Sequence, residues 1–240
     1  MAVKRFLLFI KGDFWDLIKL NLLFCVAALP SIALFILSFI SPLGVVALVL
    51  SLAAAFPIGG ACSACLFCIA ALLRGASGDV WHDFLRKLKE NIKQASIPGV
   101  LYTGFIYLQV FLWQSFTLSD TSIGWLLATA LSLLVFGMVA PYVFLQIAYI
   151  DLKTSKILTN SLLLSFGNFG RSILGFLCSG IVWFVFLLTF PGSLPFSPLL
   201  LILGFSVSWL MTLLCIWPPV NKQFAIEETL NSRHETSDDT

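Results

Sequence analysis

The chain has 240 residues, of which 59% are hydrophobic and only 11% are charged. An ordinary soluble domain is about one quarter charged, and no soluble fold of this length could bury so much apolar surface, so the bilayer must be part of its solvent. The formal net charge of +2 argues against nucleic acid as a partner. We therefore expect an all-α, polytopic membrane helix bundle whose first partner is the lipid bilayer.

The N-terminal segment predicts two elements. Residues 1–16 carry apolar side chains at helical spacing among three basic residues, which is typical of a helix lying in the membrane interface. The apolar run 17–40 is long enough to cross the bilayer and is interrupted by Pro30. We predict an interfacial helix followed by span one.

The second apolar run, 45–73, is longer than a bilayer needs and contains Pro57, Gly59 and Gly60, which predict a break in the helix. Transporters use such breaks to bind substrate, because unwound backbone is tolerated where it lines a wet cavity. A packing kink with close helix contact is the alternative, and both interpretations stay open. With Pro141 in span four, these residues form the candidate helix break or cavity.

Residues 79–95 form the clearest amphipathic helix of the chain, and Asp79 is its predicted N-cap. One face is apolar and the other is mostly basic, although Asp83 and Glu90 dilute the charge. The basic face is typical of an anchor on the inner leaflet, and a docking surface for a protein partner is the alternative. The residues of this candidate interfacial or partner-docking helix are Trp81, Phe84, Arg86, Lys87, Leu88, Lys89 and Lys93.

The rest of the chain alternates between apolar runs and polar segments. Gly167 and Gly170 predict a break at the end of a second amphipathic interfacial segment, and Pro218-Pro219 predict the end of the last span. In order, the predicted elements are span three at 97–118, span four at 123–150, the interfacial segment 151–171, spans five and six at 172–190 and 199–217, and a polar tail at 219–240.

The 14 basic residues all fall in segments that six spans place on one side of the membrane. Positive segments stay in the cytoplasm, so we expect a multi-pass protein of the cytoplasmic membrane with both termini inside. The middles of spans two to six contain no Asp, Glu, Lys, Arg or His, which disfavours ion-coupled transport and intramembrane acid–base catalysis. No soluble catalytic motif is present. We predict that the protein is not an enzyme.

Two sets of polar residues lie inside the predicted spans. Cys62, Cys65 and Cys68 share one side of a helix, and such thiols can bind metal or do redox chemistry. No histidine or cation lies beside them, so we expect small packing residues and predict neither a metal nor a cofactor. The amides Asn21, Gln109, Gln114 and Gln146 are expected to hydrogen-bond between helices, and lining a site for a neutral solute is the alternative.

Several short motifs together resemble the YesL-like family of bacterial integral membrane proteins. The resemblance is best over about 14–110 and looser to about 218, and the motifs are FWDLIKLNLLF at 14–24, PIGGA at 57–61, ALLR at 71–74, WHDF at 81–84 and KENIKQA at 89–95. Members often have Gly-Pro-Ala where this chain has Gly-Gly-Ala, and plain small or aromatic residues where the three cysteines stand. The resemblance implies a cytoplasmic membrane protein often encoded beside sugar-uptake ABC systems and polysaccharide-degrading enzymes, and it transfers no catalytic residue.

Two functions from different classes are compatible with these observations. The first is an accessory or assembly subunit for carbohydrate ABC-type uptake, which would contact transporter subunits or other copies of itself through helix 79–95. The second is a small-solute binding or permeation subunit of the substrate-capture type, with its site at the break 57–61. An intramembrane enzyme is the third and least favoured hypothesis, because the middles of spans two to six contain no Asp, Glu, Lys, Arg or His.

Overall fold

The computed structural model describes residues 2–75, 78–118, 123–150, 152–189 and 200–226. These residues form α-helices and no strand, which confirms the predicted all-α class. A π-helical turn, Leu200–Gly204, leads directly into the last helix. The helices are α1 (Ala2–Ile40), α2 (Gly44–Ala54), α3 (Phe56–Arg74), α4 (Val80–Leu118), α5 (Ile123–Tyr149), α6 (Thr154–Gly167), α7 (Phe169–Thr189) and α8 (Phe205–Phe224).

Five helical segments are long and apolar enough to cross a membrane, and the bent pair of α6 and α7 makes a sixth if it counts as one span. The outward faces of α1, α2, α4 and α5 carry many large apolar side chains. Examples from these four helices are Val26, Ile36, Val45, Leu50, Leu101, Leu108, Leu127 and Leu131. Such a surface is stable only in lipid, so the chain is a multi-pass membrane protein.

Two helices are longer than the sequence predicts. α1 and α4 each run for 39 residues without interruption, and Pro30 and Pro98 lie inside them. Each helix is about 58 Å long, roughly twice the thickness of the hydrocarbon core. The predicted interfacial helices at 1–16 and 79–95 are therefore the first parts of the helices that contain spans one and three. Pro98 does not end α4, because a proline in a packed membrane helix need not end it. The start of α4 is as predicted, since the backbone N–H of Trp81 donates to Asp79 Oδ1 at 3.1 Å.

The break in the second span lies before the residues that predicted it. α2 ends at Ala54 and α3 begins at Phe56, so Ala55 is the only residue between them. Pro57 stands in the first turn of α3, where its missing N–H leaves no hydrogen bond unmade. Gly59 and Gly60 are helical, and the two helices together count as one candidate span of 31 residues, Gly44–Arg74.

α3 is the central helix of the bundle. Most of its residues are buried, and it contacts α1, α4, α5 and α8. Lipid supplies no hydrophobic drive for two helices to associate, so close packing through small side chains has to hold them together. The run of glycine, alanine, serine and cysteine from Gly59 to Cys65 provides that packing.

The chain turns sharply between α6 and α7. α6 ends at Gly167, as the sequence predicts, and the two helices are bent by 95° around Asn168. The carbonyl oxygen of Asn168 accepts the backbone N–H of Arg171 and of Ser172, both at 3.0 Å. We call this corner, with the part of α5 that packs against it, the elbow.

The N-terminus of α8 is held by a side chain from the other end of the sequence. Asn21 Oδ1 accepts the backbone N–H groups of Phe205 at 2.8 Å and of Ser206 at 3.0 Å. These donors lie where the π-helical turn passes into α8 and are satisfied by this cap.

The end predicted for span six at Pro218-Pro219 is wrong, because α8 continues through both prolines to Phe224. Pro219 and Val220 are buried in the bundle, where packing supports the helix. The stretches 119–122 and 191–198, which separate predicted spans, lie outside the described residues, as does the predicted tail from residue 227 onward.

Candidate functional site

The space predicted for a cavity in span two is filled by α4. A Cβ atom added at Gly59 would lie 1.9 Å from the carbonyl oxygen of Ala95 and 2.8 Å from the Cα atom of Gly99. A Cβ atom added at Gly99 would lie 2.4 Å from the backbone nitrogen of Gly59. The two helices therefore touch backbone to backbone at this crossing, and no solute fits between them there.

The neighbouring residues of the candidate cavity are packed in the same way. A Cβ atom added at Gly60 would lie 2.9 Å from Leu88 Cδ1 and 3.3 Å from the Cα atom of Ile92. Pro57 is half-buried, and Pro141 is buried on a different helix, α5. Of the two interpretations that the sequence left open, close helix packing fits this geometry.

The apolar stripe of the predicted docking helix faces inward. Phe84 is only 1% exposed, and Leu88 packs on Gly60. The ammonium group of Lys87 lies 4.8 Å from the centre of the Phe67 ring and 2.7 Å from Glu90 Oε2. These three residues therefore face α3 rather than an outward partner, because α4 covers α3 here.

The outward face of the same helix segment is narrower than predicted and remains basic. Trp81 is 55% exposed, Arg86 is held by Asp83 at 2.7 Å, and both Lys89 and Lys93 are exposed. In the part of the chain that the structure describes, the two lysines form no ion pair. We call Trp81, Arg86, Lys89 and Lys93 the basic α4 face.

Arg74, a cation outside the basic α4 face, is the last residue of α3. Arg74 Nε donates to the carbonyl oxygen of Ala70 at 3.1 Å, and Nη2 donates to the Tyr149 hydroxyl at 3.2 Å. The guanidinium carbon lies 5.8 Å from the ring centres of both Tyr149 and Trp217, within cation–π distance. Tyr149 in turn donates to the carbonyl oxygen of Phe67 at 3.3 Å. We call Phe67, Arg74, Tyr149 and Trp217 the Arg74 cluster.

Sequence reasoning missed the Arg74 cluster. Arg74 is the last residue of one candidate span and Tyr149 the last of another, and an aromatic or basic residue at the end of a span is a usual signal of the membrane interface. The sequence contains that signal, but α3, α5 and α8 are far apart along the chain. Only the packing of the three helices brings these side chains together.

The amides inside the spans bond between helices, as predicted. Gln109 on α4 donates to Ser132 Oγ on α5 at 3.0 Å, and Gln146 on α5 donates to Ser161 Oγ on α6 at 2.8 Å. The Asn21 cap joins α1 to α8, whereas the side chain of Gln114 lies outside the described part. Within that part, the buried atoms without a hydrogen-bond partner are Gln109 Oε1, Gln146 Oε1 and Ser165 Oγ.

The three cysteines of α3 are core residues. Cys62 and Cys65 are fully buried, and Cys68 is almost so. Among the described residues, no group of three histidine, cysteine, aspartate or glutamate side chains is placed to hold a metal ion. The thiols serve as small side chains in the packing around α3.

No protein-family model matches the chain, and no curated protein or solved structure matches it. Membership of the YesL-like family therefore stays a prediction.

Proposed function

We propose that the protein is an accessory subunit of a carbohydrate uptake system of the ABC type, and that it docks its partner on the basic α4 face. The observation that supports this proposal is the exposure of Trp81 beside Arg86, Lys89 and Lys93 on a segment whose other face is packed on α3. Tryptophan and arginine are enriched among the residues that dominate binding at protein interfaces. A long, packed helix presents them with little entropy to lose on association.

The carbohydrate class of the partner comes from the resemblance to the YesL-like family, whose members are often encoded beside sugar-uptake systems. The expected partners are therefore the permease or ATPase subunits of such a transporter. A supporting feature is that the middles of spans two to six contain no Asp, Glu, Lys, Arg or His, because a protein that drove uptake with protons or ions would need such residues.

The proposed location is the bacterial cytoplasmic membrane, with both termini in the cytoplasm. All 14 basic residues lie in segments on one side of the predicted topology, and the positive-inside rule assigns that side to the cytoplasm. The basic α4 face would then be accessible to an ATPase subunit or to the cytoplasmic loops of a permease. A cytoplasm-dependent fluorescent reporter fused after residue 240 is expected to be active, and an inactive reporter would contradict this orientation.

The docking proposal is tested by affinity purification from native membranes in mild detergent, followed by mass spectrometry. The test variant is Trp81→Ala with Arg86→Glu and Lys89→Glu. The matched control is Lys153→Glu with Lys156→Glu, which reverses two exposed charges at the start of α6. We expect the wild type and the control to recover transporter subunits in stoichiometric amount, and the test variant to lose at least about 90% of them.

Thermal unfolding of each purified variant shows whether the variant is folded. We expect both variants to fold, because no substituted residue is buried. Equal recovery by the test variant and the wild type would exclude the basic α4 face as the docking surface. A wild type that brings down no transporter subunit would contradict the uptake role itself. Stabilisation of such a partner-free protein by a sugar or a vitamin would favour the alternative, a small-solute binding subunit. The close contact of α3 and α4 at Gly59 gives this alternative less support than the docking proposal, because it leaves no space for a solute there.

A further inference from the structure

The Arg74 guanidinium is held in place by two hydrogen bonds, and its other N–H donors have no acceptor in the part of the chain that the structure describes. A guanidinium has five N–H donors, of which the Nε–H and one Nη2–H are occupied by Ala70 and Tyr149. The remaining donors have no protein acceptor within the described residues. The two aromatic rings restrict the rotamers of the side chain, so a ligand would meet a preorganised fork of donors.

The charge of Arg74 is also uncompensated within the described residues, where the ion pairs are Lys19–Asp16, Arg86–Asp83 and Lys87–Glu90. The C-terminal end of α3 offsets only part of the charge, since a helix end carries about half an elementary charge. Lys87, whose ammonium group lies 4.8 Å from the centre of the Phe67 ring, is paired with Glu90 and adds no net charge, so Arg74 carries the positive charge of the cluster. The region therefore favours an anion.

The position of the Arg74 cluster indicates which anion is available. Arg74 and Tyr149 are the last residues of their candidate spans, and Trp217 lies near the end of a third, Ile202–Phe224. Span ends that carry tryptophan and tyrosine lie at the level of the lipid headgroups. Basic pockets between membrane helices at this level bind phosphate-bearing headgroups.

We propose that the Arg74 cluster is a binding site for a phosphate group, supplied by the headgroup of an anionic phospholipid. Two phosphate oxygens accept the free N–H groups of Arg74 in the bidentate geometry that a guanidinium provides. The rings of Tyr149 and Trp217 restrict the orientation of the Arg74 guanidinium group. The acyl chains of the bound lipid lie along the apolar surface of the bundle. A soluble phosphate ester has the same chemistry and is distinguished by experiment.

The test compares the thermal unfolding of the full chain in neutral detergent with and without added lipid. For the wild type, we expect phosphatidylglycerol to raise Tm by several degrees and phosphatidylcholine to leave it unchanged, because a ligand that binds only the folded state stabilises it. Arg74→Gln is expected to lose the shift. Arg74→Lys is expected to keep part of it, with binding about tenfold weaker, since lysine has no bidentate fork.

Arg171→Gln is the matched control, because it removes an exposed arginine whose side chain belongs to neither the Arg74 cluster nor the basic α4 face. Native mass spectrometry adds a second readout, in which one phosphatidylglycerol is retained by the wild type and by Arg171→Gln but not by Arg74→Gln. Equal lipid shifts in Arg74→Gln and Arg171→Gln would overturn the proposal. The same shift from millimolar glycerol phosphate would assign the site to soluble phosphate esters and overturn the lipid source.

One intramolecular anion has to be tested as well. Asp151 follows Tyr149 by two residues in the sequence and lies outside the described residues. We expect Asp151→Asn to leave the phosphatidylglycerol shift unchanged. A shift that appears only in Asp151→Asn would mean that this carboxylate occupies the guanidinium in the wild type, and the proposal would fail.

Discussion

The crossing of α3 and α4 and the elbow of α5, α6 and α7 hold helices together in opposite ways. At the crossing, Gly59 and Gly99 bring two backbones into contact. At the elbow, the Ser172 hydroxyl lies 3.0 Å from the Tyr142 hydroxyl and 2.9 Å from the carbonyl oxygen of Ser165. One region depends on side chains that are absent, and the other on side chains that are present.

This difference follows from the solvent. Lipid tails are as apolar as leucine, so helices in a bilayer associate through close packing or through hydrogen bonds rather than through the hydrophobic effect. A backbone contact has no rotamer by which it could yield, and therefore tolerates almost no added atom. A hydrogen bond between hydroxyls contributes a modest and separable amount. The crossing should therefore fail abruptly on mutation, and the elbow should weaken by steps.

The largest effect is expected for Gly59→Ala. The added Cβ atom would meet the carbonyl oxygen of Ala95 at 1.9 Å, and a backbone atom cannot rotate away. We expect a loss of about 3 kcal/mol or more in the free energy of unfolding, or no folded protein at all. Unfolding of the purified protein in a titration with sodium dodecyl sulfate measures the loss.

Gly180→Ala is the matched control, because it adds the same atom to a helical glycine on α7 that has nothing within 4 Å of its Cβ position. Helix propensity alone would then stabilise the variant, by at most about 1 kcal/mol. If both variants unfolded at the same detergent fraction, the close approach of α3 and α4 would be wrong. The contrast between the crossing and the elbow would then disappear.

The features that the sequence predicts correctly are those that depend on residues close together along the chain. The apolar runs predict the helical class, Gly167 predicts the end of α6, and the amides predict bonds between helices, because each of these depends on neighbouring residues or on the cost of a polar group in lipid. The sequence does not predict which helix packs against a given apolar face. An amphipathic stripe with Phe84 and Leu88 indicates that something covers it, but only the fold shows that α3 does.

The same limit explains the candidate site. Glycines in a span indicate either an opening or a close contact, and the choice depends on whether another helix lies against them. For Gly59 that helix is α4, whose contact residue Gly99 lies 40 residues further along the chain. The Arg74 cluster combines residues from three helices, and no local pattern contains all of them.

A moderate effect is expected when the hydrogen bond at the elbow is removed. Tyr142→Phe and Ser172→Ala should each lower the free energy of unfolding by about 1 kcal/mol. In a double-mutant cycle the two changes should be coupled by about 0.6 kcal/mol, the average for hydrogen bonds between membrane helices. The same detergent titration applied to the four proteins gives the coupling energy.

The control cycle pairs Tyr142→Phe with Ser31→Ala. Ser31 bonds to the Tyr107 hydroxyl at 2.7 Å and to the carbonyl oxygen of Ser51, between other helices of the bundle. Because these sites share no partner, the two losses should add. Strict additivity of Tyr142→Phe with Ser172→Ala as well would show that the elbow is held by packing rather than by this hydrogen bond.

The smallest effect is expected for Gln146→Met, at the same elbow. Gln146 gains a hydrogen bond through Nε2 to Ser161, but its Oε1 atom is buried with no partner in the described part of the chain. Methionine removes the favourable bond and the unsatisfied acceptor together, so we expect a change within about 0.5 kcal/mol. Ser161→Ala should lower stability more, by about 1 to 2 kcal/mol, because it leaves the Gln146 amide buried with neither end paired.

Which of these two variants loses more stability shows whether water reaches the elbow. If Ser161→Ala is the more harmful change, Gln146 Oε1 is an unsatisfied atom in a dry contact, and the elbow owes its strength to Tyr142 and Ser172. If Gln146→Met is the more harmful change, Gln146 Oε1 has a hydrogen-bond partner in solution, and a buried water meets that requirement. The elbow would then be a hydrated corner, in contrast to the dry glycine crossing of α3 and α4.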